Sequence, residues 1–234
     1  MKYTAAKEIF EMYPGYVRGV VVAHGTDNSG PENPDIVALL RQAEQGVRER
    51  ADLGDVAGHP RIAAWREAYR KFGTKPSKFR SSVEAMVRRV RKGHDVPYVN
   101  HLVALGNATS LKYLLPAGGH DVGVARHDLW LKLATGDEAF VAFGSDVVEH
   151  PTPGEVVYLD GNQVLCRRWT WRQARHTLLT SDSTHVAINV DGLPPITTEE
   201  VTTICEELAT LVQRFLGGEV VCRYLRAHNP SIKV

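Results

Sequence analysis

Residues 155–169 read EVVYLDGNQVLCRRW. Two β-branched, apolar runs flank Asp160-Gly161-Asn162, and a break of that length and composition between strands is a hairpin turn. The pattern continues on both sides, as LWLKLA (129–134), AFVAF (139–143) and HVAINV (185–190). Everything from about residue 121 onward is therefore expected to be strand-rich. One helix interrupts it. Thr197 with Glu200 three residues on opens this helix, Val201, Ile204, Leu208, Leu211, Val212 and Phe215 form its apolar stripe, and Gly217-Gly218 ends it before the strand EVVCRYL.

Upstream the period changes. YVRGVVVAHG (16–25) reads as a buried strand, and helices follow it. Asn33-Pro34 pairs a cap with a first-turn proline ahead of Ile36, Leu39, Leu40, Ala43 and Val47. His59-Pro60 starts a second helix that carries Ala64, Trp65, Ala68, Tyr69 and Phe72 up to Gly73. Ser81 to Glu84 has the spacing of a capping box, with Val83, Met86, Val87 and Val90 as the buried face behind it. A fourth helix is expected from about His101 to Leu115, before Pro116. The expected fold class is α+β, a mixed or antiparallel sheet with helices packed on it. The chain is expected to be one domain over residues 1–234, helical to about 120 and strand-rich from about 121.

The 234 residues are 43% hydrophobic and 24% charged, enough for a substantial core. No run approaches the roughly 20 apolar residues of a membrane span, and the N-terminal stretch has no apolar signal core. A soluble, cytoplasmic protein with no membrane partner is expected, its three cysteines reduced. Phosphate-binding glycine loops, HExxH and GxSxG are absent, and none of the ten histidines lies four residues from another. Neither a metal nor another cofactor is expected.

One region departs from the near-neutral balance. Arg66, Arg70, Lys71, Lys75, Lys78, Arg80, Arg88, Arg89, Arg91 and Lys92 crowd around a Gly-Thr-Lys-Pro-Ser turn, answered only by Glu67 and Glu84. Two readings stand: a solvated helix face, or a surface that contacts phosphates through Lys75, Lys78, Arg80, Arg89 and Arg91. Further on, RRWTWR (167–172) alternates as a strand would. That reading sets Arg168, Thr170 and Arg172 on one face and Arg167, Trp169 and Trp171 on the other.

FGTKPSKFRSSVEAM, LGNATSLKYLLPAGGHD, PGEVVYLD and CRRWTWRQARHT together resemble free-standing relatives of the tRNA-binding and editing domain of the phenylalanyl-tRNA synthetase beta subunit. The likeness runs from about Arg61 to Gly218. In the synthetase that domain hydrolyses tyrosine mischarged onto phenylalanine tRNA. Nothing here resembles the aminoacylation module, so a complete synthetase is excluded. The family's DITN segment falls on Ala104 to Asn107 and implies that Asn107 keeps a pocket amide. Its QPLHAFD segment falls on Leu115 to Asp121, with Gly118 at the histidine position and His120 two residues on. Its GGEHS segment falls on Ala174 to Thr177, with Arg175 where the family has a glutamate.

The resemblance implies a trans-acting editing factor that hydrolyses mischarged aminoacyl-tRNA, with tRNA or aminoacyl-tRNA as partner and no DNA. Asn107, Ser110, Tyr113, His120 and Thr177 supply pocket polar groups, Trp171 a stacking ring, and Arg168 and Arg175 anion contacts. A non-catalytic tRNA- or RNA-binding module and a reused amino-acid pocket remain open alternatives. The residues do not indicate an oligomeric state.

Overall fold

Capping chemistry sets the helix starts. In the computed structural model, which describes residues 1–234, the Asn33 side chain accepts from the Asp35 and Ile36 amides, and Ser81 accepts from Glu84. Thr197 and Glu200 close a full capping box. Each such cap contributes ~1 kcal/mol to its helix.

In chain order the elements begin with β1 (Lys2–Ala5), α1 (Lys7–Met12), β2 (Val17–His24), α2 (Pro34–Glu49) and α3 (Pro60–Lys71). Then come α4 (Ser82–Arg91), α5 (His101–Tyr113), β3 (Ala117–Asp121), β4 (Leu129–Leu133), β5 (Phe140–Val141) and β6 (Val148–Glu149). The remainder are β7 (Val156–Asp160), β8 (Gln163–Arg167), β9 (Arg172–Gln173), β10 (His185–Gly192), α6 (Thr198–Leu216), β11 (Glu219–Leu225) and β12 (Ser231–Lys233). The fold is α+β with mixed and antiparallel sheets, as the patterning implies.

Two sheets and a helical layer are stacked. The inner sheet runs β11-β2-β10-β3, all antiparallel, and the second runs β12-β1-β4-β7-β8-β9, with β1 and β4 parallel. Helix α6 lies on one face of the inner sheet. A Cβ at Gly19 of β2 would stand 3.0 Å from the Cys205 side chain of α6, so the absence of one lets helix and sheet meet. The opposite face meets the second sheet, because Arg18 on β2 reaches Tyr3 and Tyr158 there. Strands β1 and β3, the latter only AGGHD, had no apolar alternation to announce them.

The hairpin read from residues 155–169 is present, with β7 and β8 joined at Gly161-Asn162. The expected strand across RRWTWR is not. Strand β8 stops at Arg167, β9 starts at Arg172, and Arg168 and Trp169 turn the chain with φ of 47° and 63°. Left-handed backbone costs roughly 1–2 kcal/mol at each such residue. Burial offsets that cost. Trp169 is 0% exposed, with ring centroids at 4.8 Å from Tyr13 and 5.0 Å from both Tyr16 and Trp65. Aromatic pairs of that kind add roughly 0.5–1.5 kcal/mol each beyond the area they bury.

Candidate functional site

Strand alternation decides which side chains meet between the sheets. From the inner sheet Arg18, Asp191, Asn189, Gly118 and His120 fall on one face, since β10 sets Asn189 opposite Gly118, Ala187 opposite His120 and Asp191 opposite Arg18. From the second sheet come Tyr158, Cys166 and Gln173, which stand side by side on β7, β8 and β9. The result is a polar seam inside an otherwise apolar sandwich.

Its inner end is locked. Arg18 donates to Asp191 Oδ1 from Nε at 2.8 Å and from Nη2 at 2.7 Å, and to the Tyr3 hydroxyl from Nη1 at 2.6 Å. Tyr16 donates to the same carboxylate oxygen at 2.5 Å. The guanidinium carbon sits 4.4 Å from the Tyr158 ring centroid. Burial works against this charge, yet Asp191 and the two tyrosines hold the Arg18 pKa above its ordinary value.

The outer end is built around His120. Its Nδ1 lies 2.9 Å from Thr177 Oγ1 and 3.4 Å from Gln173 Nε2, while the same amide donates to the Gly119 carbonyl at 2.9 Å. Burial first, then Arg18 and His176, push the His120 pKa down to about 3, so the ring is neutral at physiological pH. Both neighbours of Nδ1, the Thr177 hydroxyl and the Gln173 amide, are able to donate to it, and in that tautomer the ring proton is on Nε2. Gly118 is exposed and a Cβ there would meet nothing within 4 Å. Asn189 is 4% exposed and its Oδ1 has no partner. Burial pushes the neighbouring Cys166 thiol up to about 12, so it is not a thiolate nucleophile.

The loop that brings Thr177 to His120 is tied from several sides. The Thr177 carbonyl accepts from the Asp121 amide at 3.0 Å, and Ser183 donates to Asp121 Oδ2 at 2.6 Å. Asn100 caps α5 through Val103 and donates its amide to the Leu179 carbonyl at 2.8 Å. One residue thereby fixes both the helix and the loop.

A basic and aromatic rim lies beside the seam. The Arg168 guanidinium is stacked 3.7 Å from the Phe79 centroid and 4.4 Å from that of Trp171, with Nη1 buried and unpartnered. The Ser82 amide donates to the Thr170 carbonyl at 2.9 Å, which joins the 75–80 loop and α4 to the 168–171 turn. Lys75 and Lys78 are exposed, and the lysines held in ion pairs are Lys7 and Lys112. Much of the remaining positive charge is spoken for. Glu84, fully buried, accepts from Arg66 at 2.7 Å and Arg88 at 2.9 Å, with Arg80 at 3.9 Å. Arg89 and Arg91 donate to the Asp95 and Arg48 carbonyls. They lie at the far end of α4 from Lys75, Lys78 and Arg80.

The structure thus gathers His120, Thr177, Arg168 and Trp171 around the seam and its rim, and disperses the others. Asn107 is half-buried on α5 and its side chain makes no hydrogen bond within the chain. Ser110 is fully buried and spends its hydroxyl on the Leu115 carbonyl at the end of α5. Tyr113 turns to Glu207 on α6. Arg175 is 55% exposed and pairs with the still more exposed Asp146 at 2.5 Å. It is a surface residue, so the expected role of Arg175 as an anion contact inside the pocket has no structural basis. Gln173, Asn189 and Phe79 are the site residues that sequence reasoning missed. One signal was available: Arg18 is a lone charge inside the apolar run YVRGVVVAHG, and such a charge needs a buried partner.

A two-sheet α+β domain with helices on one face and a polar seam between the sheets is the class this arrangement defines. A family model described as a B3/4 domain matches residues 64–217. The chain belongs to the B3/4 domain family, in line with the expected kinship to the phenylalanyl-tRNA synthetase beta-subunit domain. Among solved structures, it is similar to an N-terminal fragment of the phenylalanyl-tRNA synthetase beta subunit from Pyrococcus horikoshii, at 12% identity and a TM-score of 0.46. That match covers 92% of this chain and 49% of the other, so the chain spans about half that fragment's length. Comparison with curated protein sequences gives no match. No helix is long and apolar enough to cross a membrane.

Proposed function

We propose that this protein binds aminoacyl-tRNA and hydrolyses a mischarged product in trans, with the charged 3′ end entering the seam past Gly118. The observation that carries the proposal is the neutral, buried imidazole of His120, held by Thr177 and Gln173 beside an open glycine and an unpartnered Asn189 oxygen. Hydrolysis of an aminoacyl ester needs a positioned water and hydrogen bonds for the carbonyl oxygen as it becomes an oxyanion. The Nε2–H of His120 is a donor for that oxygen, the Asn189 Oδ1 is an acceptor for the attacking water, and the terminal ribose hydroxyl leaves with the proton. Lys75 and Lys78 supply phosphate contacts, and Trp171 with Phe79 a surface on which a terminal base stacks.

The chain acts as one domain over residues 1–234, supported by a single cluster of 55 buried residues that draws on both halves. A second reading, tRNA binding without hydrolysis, is favoured by Gly118 standing where the related domain has its pocket histidine.

The test is deacylation of a panel of correctly and incorrectly charged tRNAs, alongside a gel shift over a salt series. Release of one mischarged amino acid, lost in His120→Ala and retained after chelation, supports editing. Steep salt-dependent binding with no release from any substrate supports the second reading. Neither binding nor release overturns both.

A further inference from the structure

The outer face of the six-stranded sheet, turned away from the seam, carries functional groups the proposed chemistry does not use. Half of it is covered, since Val157, Leu159 and Val164 pack with Phe140, Ala142 and Ala174 in a small apolar cluster. The other half is bare, and Trp130 of β4 is 40% exposed in the middle of it. The strand registers put Thr4 beside Trp130, Ser231 beside Thr4 and Lys233 beside Lys2, and alternation places Lys132 on the same face. Lys2, Lys132 and Lys233 are in no ion pair, in contrast to Lys7 and Lys112. The neighbouring acid, Asp128, accepts from the Lys2 backbone amide at 2.8 Å.

This cationic face also carries a shallow, wide-open hollow. His127, Asp128, Trp130, Lys132 and Gly161 line a cavity of about 360 Å³. The imidazole wall is fixed, because Asp160 Oδ1 takes both the His127 backbone amide at 2.8 Å and its Nδ1 at 2.9 Å. The Asp160 carboxylate is in turn braced by the Arg126 amide at 3.0 Å and by His176 at 2.9 Å. A Cβ at Gly161 would stand 2.8 Å from His127 Nδ1, so the turn glycine preserves this wall. The other ring nitrogen of His127 makes no hydrogen bond in the chain.

We propose that this cavity is a binding site for single-stranded nucleic acid, with one base stacked on Trp130, its phosphate on Lys132, and the strand following Lys2 and Lys233. An aromatic ring on an open sheet face among unpaired cations is the arrangement that takes unstacked bases and backbone together. The surroundings argue against a protein partner. Leu159 flanks Trp130 on the β7 side, but hydroxyls and lysines surround it on the open side, whereas protein interfaces deplete lysine at their centre. The surface lies on the opposite side of the sheet from the seam, so this proposal and the deacylation reading fail separately.

The experiment measures anisotropy of a short fluorescein-labelled oligouridylate at low salt, together with quenching of tryptophan emission. Wild-type protein should bind, with a salt-dependent affinity. Trp130→Ala should weaken binding about tenfold, as loss of one stacked base implies, and Trp130→Phe should largely restore it. Lys132→Glu should weaken binding by a similar factor and flatten the salt slope, and it stands as the deciding variant if Trp130→Ala melts early by circular dichroism. No binding by the wild type overturns the proposal. So does unchanged affinity in Lys132→Glu, a loss confined to Trp171→Ala, or a dimer in solution that shields Trp130.

Discussion

The neutrality of His120 has a consequence for stability that can be measured apart from any activity. The ordinary pKa of 6.5 belongs to the unfolded chain, and the folded value lies at about 3. Between those two values the unfolded chain binds a proton that the folded protein refuses, so stability falls as pH drops through that window and is fully present above it. Going from about pH 7.5 to about pH 4.5, this one group should remove roughly 2–3 kcal/mol. That is a large share of the ~5–15 kcal/mol that holds a domain together. Other groups titrate in the same direction, among them His59 and His185, whose values burial lowers, and Asp160, whose carboxyl its hydrogen bonds hold down against burial. The measurement is therefore a difference: urea unfolding across this range for the wild type and for His120→Gln, whose amide still offers Thr177 a hydrogen bond. The variant should lose clearly less stability on acidification. Parallel curves for the two proteins would show that His120 accepts its proton in the folded state and would refute the buried-neutral reading.

Three further outcomes are expected. Replacing Asp191 with Asn, or Arg18 with Met, should cost about 3–5 kcal/mol by chemical denaturation, because each leaves a buried charge without its partner; the double Arg18→Met, Asp191→Leu should cost less than the sum of the two. Neutralising Lys75 and Lys78 together should weaken tRNA binding uniformly across tRNA sequences and flatten the log–log salt slope by about two, whereas Arg89→Ala and Arg91→Ala should lower thermal stability and leave that slope nearly unchanged. Arg175→Glu should shift stability by no more than ~0.5 kcal/mol and leave any deacylation rate as it was, which a kinetic comparison under single-turnover conditions checks.

The starts of α2, α3 and α6 were legible because a cap is made by residues two or three apart. Asn33, His59 and Thr197 announce their helices whatever the rest of the chain does. The β7–β8 hairpin was legible for the same reason, since Gly161-Asn162 sets the turn and the flanking runs set the faces. The kinship with the B3/4 domain also rested on short motifs. What the tertiary structure alone decided depends on contacts far apart in the chain. Arg18 meets Asp191 across 173 residues and His120 meets Thr177 across 57, so the seam exists only once two sheets have stacked. RRWTWR alternates like a strand, yet the aromatic pocket made by Tyr13, Tyr16 and Trp65 holds Trp169 in a left-handed turn. Glu84 looked like one acid among many bases, and burial turned it into the anchor for Arg66 and Arg88. Arg175 could be given a partner from the sequence only by analogy, and the fold supplied Asp146 in solvent instead. Local chemistry fixes where elements begin and turn; which charges are buried, paired or left free depends on the packing of distant surfaces against one another.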